Sequence, residues 1–290
     1  MTELSNFLSR ASALLDRLEA LLPAAPAGEP DWSAPAFRWR REGGRGWLQA
    51  VPRPHGIRLG DLQGIERQKD ILACNTRQFV RGRPANNALL TGARGTGKSS
   101  LIKALLTEFR NDGLRIIEVE KHHLVDLPDI VPLLEPRPER FLIFCDDLSF
   151  EADEPAYKAL KVVLDGSVTA PPENVLIYAT SNRRHLMPEY MEENRLARVV
   201  EGELHPGEAI EEKVSLSDRF GLWLSFHPFE QEAYLAIVRH WLAHFGVADT
   251  NDEALRLEAL RWAQTRGTRS GRTAWQFARD FAGRKGEEKT

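Results

Sequence analysis

The residues with the clearest chemistry form a glycine-rich loop that fits the phosphate-binding pattern G-x-x-x-x-G-K-[ST]. Glycines allow backbone N–H groups to turn inward around phosphate oxygens, and a helix that begins at the loop adds partial positive charge. Lys98 is expected to reach the β- and γ-phosphates, and the Ser99 hydroxyl is expected to bind Mg²⁺. The predicted nucleotide-binding residues are Gly92, Ala93, Arg94, Gly95, Thr96, Gly97, Lys98, Ser99 and Ser100.

A pair of acids follows an apolar run farther along the chain. Residues 141–145 read Phe-Leu-Ile-Phe-Cys, and Asp146 and Asp147 come directly after them. An apolar run that ends in an acid is typical of a buried parallel strand with a carboxylate at its C-terminal end. Asp146 is therefore predicted to hold Mg²⁺, with water completing the metal's shell. Asp147 is predicted to orient or deprotonate an attacking water.

A third polar group follows the strand predicted for residues 174–180. Asn182 comes two residues after that strand, where its amide would touch the γ-phosphate or the attacking water. Polar residues are also common in ordinary turns at strand ends, so this position by itself favours neither interpretation.

The elements around these residues alternate between strand and helix. Residues 87–91 are a short apolar run before the loop, residues 100–109 have helical spacing of apolar residues, and residues 114–119 form another strand-like run. This order predicts an α/β fold whose parallel sheet lies between helices. The helical pattern of residues 231–245, 253–265 and 272–281 predicts a small all-helical C-terminal unit.

The composition of the chain restricts its cellular compartment and its binding partners more than the reaction it performs. The chain has 290 residues and a net charge of −3, which gives no overall attraction to nucleic acid or to an anionic membrane. Cysteine occurs only at Cys74 and Cys145, so a disulfide framework is not expected and the cytoplasm is the expected compartment. No apolar stretch approaches the roughly 20 residues that span a bilayer, so no membrane partner is expected.

The N-terminal region is predicted to be an extension of the α/β core. Residues 3–22 have the spacing of an amphipathic helix, residues 23–35 read as a linker, and residues 37–51 as a β-hairpin. The hairpin carries Trp39 and Trp47 among arginines, a combination that would suit nucleic acid. Strict alternation would instead place Phe37 and Trp39 on one face and arginines on the other, so a structural hairpin is the alternative.

Taken together, these motifs resemble the AAA+ ATPase superfamily over residues 59–281, and the glycine-rich loop and the acid pair resemble its Walker A and Walker B motifs. The resemblance implies Mg²⁺-dependent ATP binding and hydrolysis. Asn182 is similar to the sensor-1 residue, and Arg272 in Ser-Gly-Arg-Thr-Ala resembles the sensor-2 arginine of a helical lid. Arg219 in Ser-Asp-Arg-Phe-Gly resembles the arginine finger that enters a neighbouring subunit's site, which implies a homo-oligomer. Residues 62–68 are similar to the segment beside the adenine.

The sequence also departs from the common pattern of the superfamily. Asp147 stands where many members have glutamate, so Glu151 remains an alternative for activating the water. The Asp-Asp-Leu-Ser form is closer to the initiator and helicase-loader branch, and the whole pattern is similar to a bacterial family of predicted AAA+ ATPases without an assigned role. The expected division is an N-terminal extension (residues 1–56), a nucleotide-binding core (57–226) and a helical lid (227–290).

Three functions are compatible with these motifs. The first is ATP hydrolysis coupled to remodelling or loading of a client, either a protein or a nucleic acid, whose identity the sequence leaves open. The second is a nucleotide-gated binding module or loader on nucleic acid with little turnover. The third is a P-loop kinase, which would share the loop but would need neither Arg219 nor the helical tail.

Overall fold

The computed structural model of the chain describes Phe7, Arg10 and residues 29–150, 154–165, 172–182, 198–200, 203–205, 218–247, 250 and 252–287. The helix predicted for residues 3–22 lies outside the described residues except at Phe7 and Arg10. Glu151, the alternative to Asp147, also lies outside them.

A mostly parallel sheet of seven strands forms the centre of the fold. Its strands are β1 (Ala36–Glu42), β2 (Arg45–Val51), β3 (Ala88–Gly92), β4 (Leu114–Glu118), β5 (Arg140–Cys145), β6 (Val175–Ser181) and β9 (Leu222–Phe226). They lie in the order β2-β1-β4-β5-β6-β3-β9, and only β2 runs antiparallel to its neighbour. A separate antiparallel pair consists of β7 (Arg198–Val200) and β8 (Glu203–His205).

Both faces of the sheet are buried. In β5, Leu142 and Phe144 belong to one hydrophobic core, whereas Phe141, Ile143 and Cys145 belong to the other. Successive side chains of a strand point to opposite faces, so a strand with two buried faces must be apolar at every position. This requirement explains the uninterrupted apolar run before the acid pair.

Seven α-helices lie within the described residues. They are α1 (Glu66–Val80), α2 (Lys98–Phe109), α3 (Leu127–Leu134), α4 (Pro155–Asp165), α5 (Gln231–His244), α6 (Glu253–Thr265) and α7 (Gly271–Glu287). Buried side chains of α1 and α2 pack into the core that contains Leu142, and those of α3 and α4 into the core that contains Phe141. The predicted α/β architecture with helices on both faces is confirmed.

The β1–β2 hairpin extends the main sheet. Strand β1 pairs in parallel with β4, with Arg38 opposite Glu118. Phe37 and Trp39 face inward and are buried, and Gly46 leaves the room that the Trp39 indole occupies. The stacking surface considered for nucleic acid at the hairpin is therefore wrong for Trp39, because alternation along the strand sends this side chain into the core.

Three arginines of β1, the first strand of the hairpin, form ion pairs with acids of the same chain. Arg38 pairs with Glu118 at 2.9 Å and Arg40 with Glu120 at 3.3 Å. Arg41 pairs with the buried Asp126, which also accepts a 2.9 Å hydrogen bond from Trp39 Nε1. These three arginines attach the hairpin to the end of β4 and to the segment that follows it, and they carry little uncompensated charge for a polyanion.

Helices α5, α6 and α7 pack together as a C-terminal helical unit, which we call the lid. Tyr234 on α5 is buried and donates a 3.1 Å hydrogen bond to the carbonyl of Ala259 on α6. The Asp252 side chain accepts a hydrogen bond from the backbone of Ala254 and caps the start of α6. Among the described residues, no helix combines the length and the apolar character needed to cross a bilayer.

Candidate nucleotide-binding site

The glycine-rich loop connects the end of β3 to the start of α2, as predicted. Three of its glycines, Gly92, Gly95 and Gly97, have φ angles of 134°, 76° and 101°, which L side chains rarely adopt. A Cβ on Gly92 would lie 1.9 Å from the carbonyl oxygen of Phe226, so the loop also needs glycine where β3 approaches the end of β9. The loop thus has the conformation that turns N–H groups toward a bound anion.

The ammonium group of Lys98 lies inside this loop. Its Nζ donates to the carbonyl oxygens of Gly92 at 2.7 Å and Ala93 at 2.8 Å, and to Asn182 Oδ1 at 3.1 Å. These contacts use all three N–H donors of the ammonium group. Burial lowers the pKa of Lys98 below its usual value, as does the nearby charge of Arg94, while Asp146 and Asp147 act in the opposite direction.

The first acid of the pair lies beside the serine of the loop. Ser99 Oγ donates a 2.6 Å hydrogen bond to Oδ1 of Asp146, and Thr180 Oγ1 donates to the same oxygen at 2.5 Å. The hydroxyl and the carboxylate predicted to bind the metal are therefore adjacent, although they come from a helix start and a strand end. Both are hard oxygen ligands of the kind that Mg²⁺ prefers.

The second acid has an unusual backbone conformation. Asp147 has a φ of 54°. Among the described residues, every other residue with a positive φ is a glycine. Its backbone N–H donates to Thr180 Oγ1 at 3.0 Å, and its carboxylate accepts a short hydrogen bond from the Asn182 amide. Arg94, which is largely exposed, lies 3.4 Å from the same carboxylate. Strained conformations of this kind persist where surrounding contacts hold them and are concentrated at functional sites.

Thr180 is a site residue that the sequence did not identify. Its hydroxyl donates to the side chain of Asp146 and accepts from the backbone of Asp147, so one group positions both acids. Thr180 is buried at the end of β6, next to β5 in the sheet. The sequence could have indicated Thr180 only through its position two residues before Asn182. Its hydrogen-bond partners depend on the register of β6 against β5, which the sequence does not specify.

A cavity of about 660 Å³ opens in front of these groups. This volume lies within the range of roughly 300–1,000 Å³ that is common for small-molecule sites. Its polar end contains the loop, both acids, Thr180 and Asn182. The cavity also has an apolar wall that includes Trp241 and Trp275 of the lid, which were not predicted from the sequence. The apolar lining residues are Ile57, Leu62, Ile65, Phe229, Ile237, Trp241 and Trp275.

The lid contacts the glycine-rich loop directly. The backbone N–H of Gly271 donates a 2.9 Å hydrogen bond to the carbonyl oxygen of Gly95. A Cβ on Gly95 would lie 2.7 Å from Oγ of Ser270, so the loop and the start of α7 are in close contact. Arg272, in the first turn of α7, lines the same cavity as Lys98 and Asp147. The structure thus brings the predicted sensor-2 residue to the predicted site.

Arg219 lies elsewhere. It precedes β9 and forms an ion pair with Asp165 at the end of α4. It is not among the residues that line the cavity. The predicted site residues therefore divide into a group that meets around one cavity and a single arginine outside it.

Comparison with known proteins gives a family and a fold. The sequence matches the family described as "Protein of unknown function (DUF815)" over residues 32–285. No curated protein matches the sequence. The structure is similar to Thermotoga maritima RuvB, a Holliday junction branch migration motor, with 18% identity, a TM-score of 0.50, and coverage of 77% of this chain and 63% of that one.

Two further structures give similar coverage. A point variant of the same RuvB has 16% identity and a TM-score of 0.52, with 77% of this chain and 64% of that one covered. PCH-2 from C. elegans has 16% identity and covers 74% of this chain and 62% of that one, with a lower TM-score of 0.47. The chain thus spans less than two thirds of the length of these proteins.

At such identities the likeness concerns the fold alone, which is the AAA+ P-loop fold seen in RuvB. The family match covers most of the chain, from the residues just before β1 to the last helix of the lid. The chain belongs to the DUF815 family and has the fold of the AAA+ ATPases.

Proposed function

We propose that this protein binds Mg²⁺-ATP in the cavity between core and lid and hydrolyses it to ADP and phosphate. One observation carries the proposal: Ser99 and Asp146, from separate elements, are joined by a 2.6 Å hydrogen bond at the mouth of a glycine loop. Lys98 and Asn182 are joined beside them at 3.1 Å. The residues proposed to cradle phosphate, to hold the metal and to sense the γ-phosphate therefore lie side by side.

The residues fit a magnesium ion. Ser99 supplies a hydroxyl and Asp146 a carboxylate, and Thr180 holds Asp146 in place through a buried hydroxyl. Ser99 and Asp146 would hold the ion, and bound Mg²⁺ would supply positive charge that offsets the charge of the phosphates.

Lys98 is proposed to bind the terminal phosphates. Its ammonium group donates hydrogen bonds to two loop carbonyls and to Asn182. Phosphate oxygens carry more negative charge than carbonyl oxygens, so a bound nucleotide would draw the ammonium toward itself. The same movement would release Asn182 to contact the γ-phosphate.

Asp147 is proposed to hold the attacking water. Asp147 lines the cavity, and its carboxylate contacts Asn182 and Arg94, which also line it. A carboxylate that accepts a proton from the water contributes about 10²–10⁴-fold in typical enzymes. Asp147 is one methylene shorter than the glutamate common in the superfamily, and its positive φ alters the direction in which the side chain leaves the backbone.

The lid is proposed to respond to the nucleotide. Arg272 lines the cavity, and the neighbouring Gly271 is bonded to the phosphate loop at Gly95. A γ-phosphate would attract Arg272, and the hydrogen bond would transmit the loop's movement to α7. In this account the core, residues 57–226, carries the chemistry and the lid, residues 227–290, converts it to motion.

Arg219 is proposed to act in a second copy of the chain. It does not line its own chain's cavity and is held by Asp165 at the surface of the core. Within an oligomer, its guanidinium would approach the γ-phosphate of a neighbour. Such arginines contribute about 10³–10⁵-fold to turnover, so an isolated subunit is expected to be nearly inactive.

The proposed coupling is to an unidentified client, remodelled or loaded with the energy of hydrolysis. Cys74 and Cys145 are free thiols, and this supports a reducing compartment such as the cytoplasm. A nucleotide-gated module with little turnover is a weaker proposal, because three of the hairpin arginines on which it depended are paired and Trp39 is buried. The proposal of a kinase is weaker still, because a kinase would need a site for a phosphate acceptor and would need neither Arg219 nor the lid.

The proposal is tested by measuring phosphate release from ATP without any added acceptor. The wild-type chain should release phosphate in the presence of Mg²⁺, and a Lys98→Ala variant should not. Release that needs an acceptor indicates a kinase. Tight ATP binding with no release at any protein concentration indicates a nucleotide-gated module.

A further inference from the structure

The end of the lid carries a concentration of positive charge. Residues 261–285 contain six arginines and one lysine against a single aspartate, so this stretch has a charge of +6 while the whole chain has −3. Within the part of the chain that the structure describes, Arg261, Arg266 and Arg279 form no ion pair. Because like charges repel, such a cluster raises the energy of the free protein unless an anion approaches it.

Three of these arginines, Arg266, Arg279 and Arg284, line an open groove between α6 and α7, which we call the lid groove. It has a volume of about 720 Å³. The side chains that line it include Trp262, Arg266, Trp275, Arg279, Asp280 and Arg284. Asp280, the acid in the groove, is matched by Arg284, which also pairs with Glu258.

The aromatic side chains of the groove are combined with guanidinium groups. The guanidinium carbon of Arg266 lies 3.5 Å from the ring centre of Trp262, and that of Arg279 lies 5.2 Å from the ring centre of Trp275. Stacked indoles and guanidinium groups present flat, polarisable surfaces beside fixed positive charge. This is the chemistry that binds unpaired bases and the phosphates between them.

We propose that the lid groove binds single-stranded nucleic acid. Unpaired arginines supply contacts to phosphate, and the indole and guanidinium planes supply stacking surfaces for bases. An acidic protein surface would use the charges but would not need the flat stacking surfaces that the indole and guanidinium planes provide. A duplex would offer phosphates but would keep its bases stacked on each other and away from the indoles.

The β1–β2 hairpin provides a control within the same chain. It is also rich in arginine and tryptophan, but Arg38 and Arg40 are paired with Glu118 and Glu120, and Trp39 is buried. Removing Arg38 and Arg40 changes the net charge by the same amount as removing Arg266 and Arg279. The two double variants therefore separate a local site from general attraction to charge.

The groove shares Trp275 and Gln276 with the nucleotide cavity, but Arg266 and Arg279 do not line that cavity. The two arginines can be changed without altering the residues proposed to bind ATP. Binding measured in the absence of nucleotide then tests the groove whether or not the protein hydrolyses ATP.

The experiment is a fluorescence anisotropy titration of labelled oligo(dT), about 20 nucleotides long, with the full chain at salt concentrations from about 50 to 200 mM. The wild-type protein should bind with a steep salt dependence. The Arg266→Ala/Arg279→Ala variant should bind at least about tenfold more weakly, and its salt slope should fall by about 1.4, since each lost phosphate contact removes roughly 0.7. The affinity of the Arg38→Ala/Arg40→Ala variant should remain within about twofold of wild type. Both arginines are already paired with acids at the surface, so they should contribute little to the binding of the strand. An abasic strand of the same length should bind at least about tenfold more weakly than oligo(dT), because base stacking is lost.

The proposal is overturned by an absence of binding at low salt, by equal losses in the two double variants, or by equal affinity for the abasic strand. It is also overturned if oligo(dT) does not bind while the groove variant changes the sedimentation of the protein, because the groove would then be an interface between copies of the chain. Circular dichroism and thermal unfolding of each variant show whether it remains folded. If the groove variant unfolds, Arg266→Gln and Arg279→Gln, which retain side-chain volume, replace it in the same titration.

Discussion

Ser99 and Asp146 are joined by a 2.6 Å hydrogen bond across 47 residues of sequence, between the start of α2 and the end of β5. The contact places a hydroxyl and a carboxylate where the phosphate loop opens into the cavity. Neither residue has this meaning alone, because serine and aspartate are common at helix starts and strand ends. Their meeting is the observation on which the proposed metal-nucleotide site rests.

Replacing Asp146 by asparagine should abolish the response to Mg²⁺. The amide keeps the size of the side chain but loses the charge that attracts the cation. ATP hydrolysis should fall by about 100-fold, the upper end of losses reported for residues that orient a metal, while binding of metal-free nucleotide should change little. Calorimetry with ATP, with and without Mg²⁺, measures the difference. A variant that keeps its Mg²⁺ response contradicts the assignment of Asp146.

Thr180 should matter through its hydroxyl. In Thr180→Val the two acids lose their shared partner, and activity should fall about 10- to 100-fold, as is typical when a group that orients metal ligands is removed. Thr180→Ser keeps the hydroxyl and should recover most of the activity. The two variants are compared by their Mg²⁺ activation curves as well as by maximal rate, because a purely structural defect would lower the rate without shifting the curve.

Lys98 should bind nucleotide in its charged form. Lys98→Ala should weaken ADP binding by about 10- to 100-fold, because a hydrogen bond to a charged group contributes about 1.5–3 kcal/mol. Burial lowers the pKa of Lys98, so its ammonium group loses its proton at a lower pH than an exposed lysine does. Affinity should thus be full below that pKa and should fall as the pH rises through it. The alkaline fall should be absent in Lys98→Ala. A wild-type affinity that stays constant across the alkaline range contradicts this role.

Gly95 should be required for contact with the lid. Gly95→Ala would place a Cβ 2.7 Å from Ser270 Oγ, in addition to straining a positive φ. Gly113→Ala is the matched control, because Gly113 also has a positive φ, of 89°, but nothing lies within 4 Å of its Cβ position. Both variants should lose about 1–2 kcal/mol of stability to backbone strain. Only Gly95→Ala should also weaken nucleotide binding, and an equal loss in the control contradicts the role of the lid contact.

Arg219 should be needed by a neighbouring subunit. Activity per subunit should rise with protein concentration, and Arg219→Ala should lower it by about 10³-fold or more. Mixing Arg219→Ala with Lys98→Ala should restore part of the activity, because some sites would combine an intact loop with an intact arginine. The measurement is phosphate release across mixing ratios. Activity that is independent of concentration, in a chain that stays monomeric by sedimentation, contradicts the oligomeric mechanism.

The local parts of the site were predictable from sequence. The glycine loop, the apolar run before Asp146 and the strand before Asn182 depend on short-range patterns, and parallel strands bring their C-terminal ends to one edge of the sheet. Thr180 was not predictable in the same way. Its partners follow from the register in which Ala179 on β6 lies opposite Cys145 on β5, and sequence spacing does not specify that register.

Long-range pairing explains the other differences between expectation and structure. Alternation predicted the β1–β2 hairpin, but not that β1 would pair with β4 and bury Trp39. The helical pattern predicted the lid, but not that Trp241 and Trp275 would line the cavity or that Gly271 would bond to Gly95. These contacts join segments far apart in the chain, where a pattern within one segment carries no information about its partner.

The most direct test of the account is phosphate release from Mg²⁺-ATP by the wild-type chain and by Asp147→Asn, with ATP binding measured on the same preparations. The account predicts release by the wild type that requires Mg²⁺. It also predicts an Asp147→Asn protein that binds ATP with nearly unchanged affinity but releases phosphate about 10²–10⁴-fold more slowly. Equal rates for the two proteins, or no release by the wild type at any concentration, would contradict the claim that this cavity hydrolyses ATP.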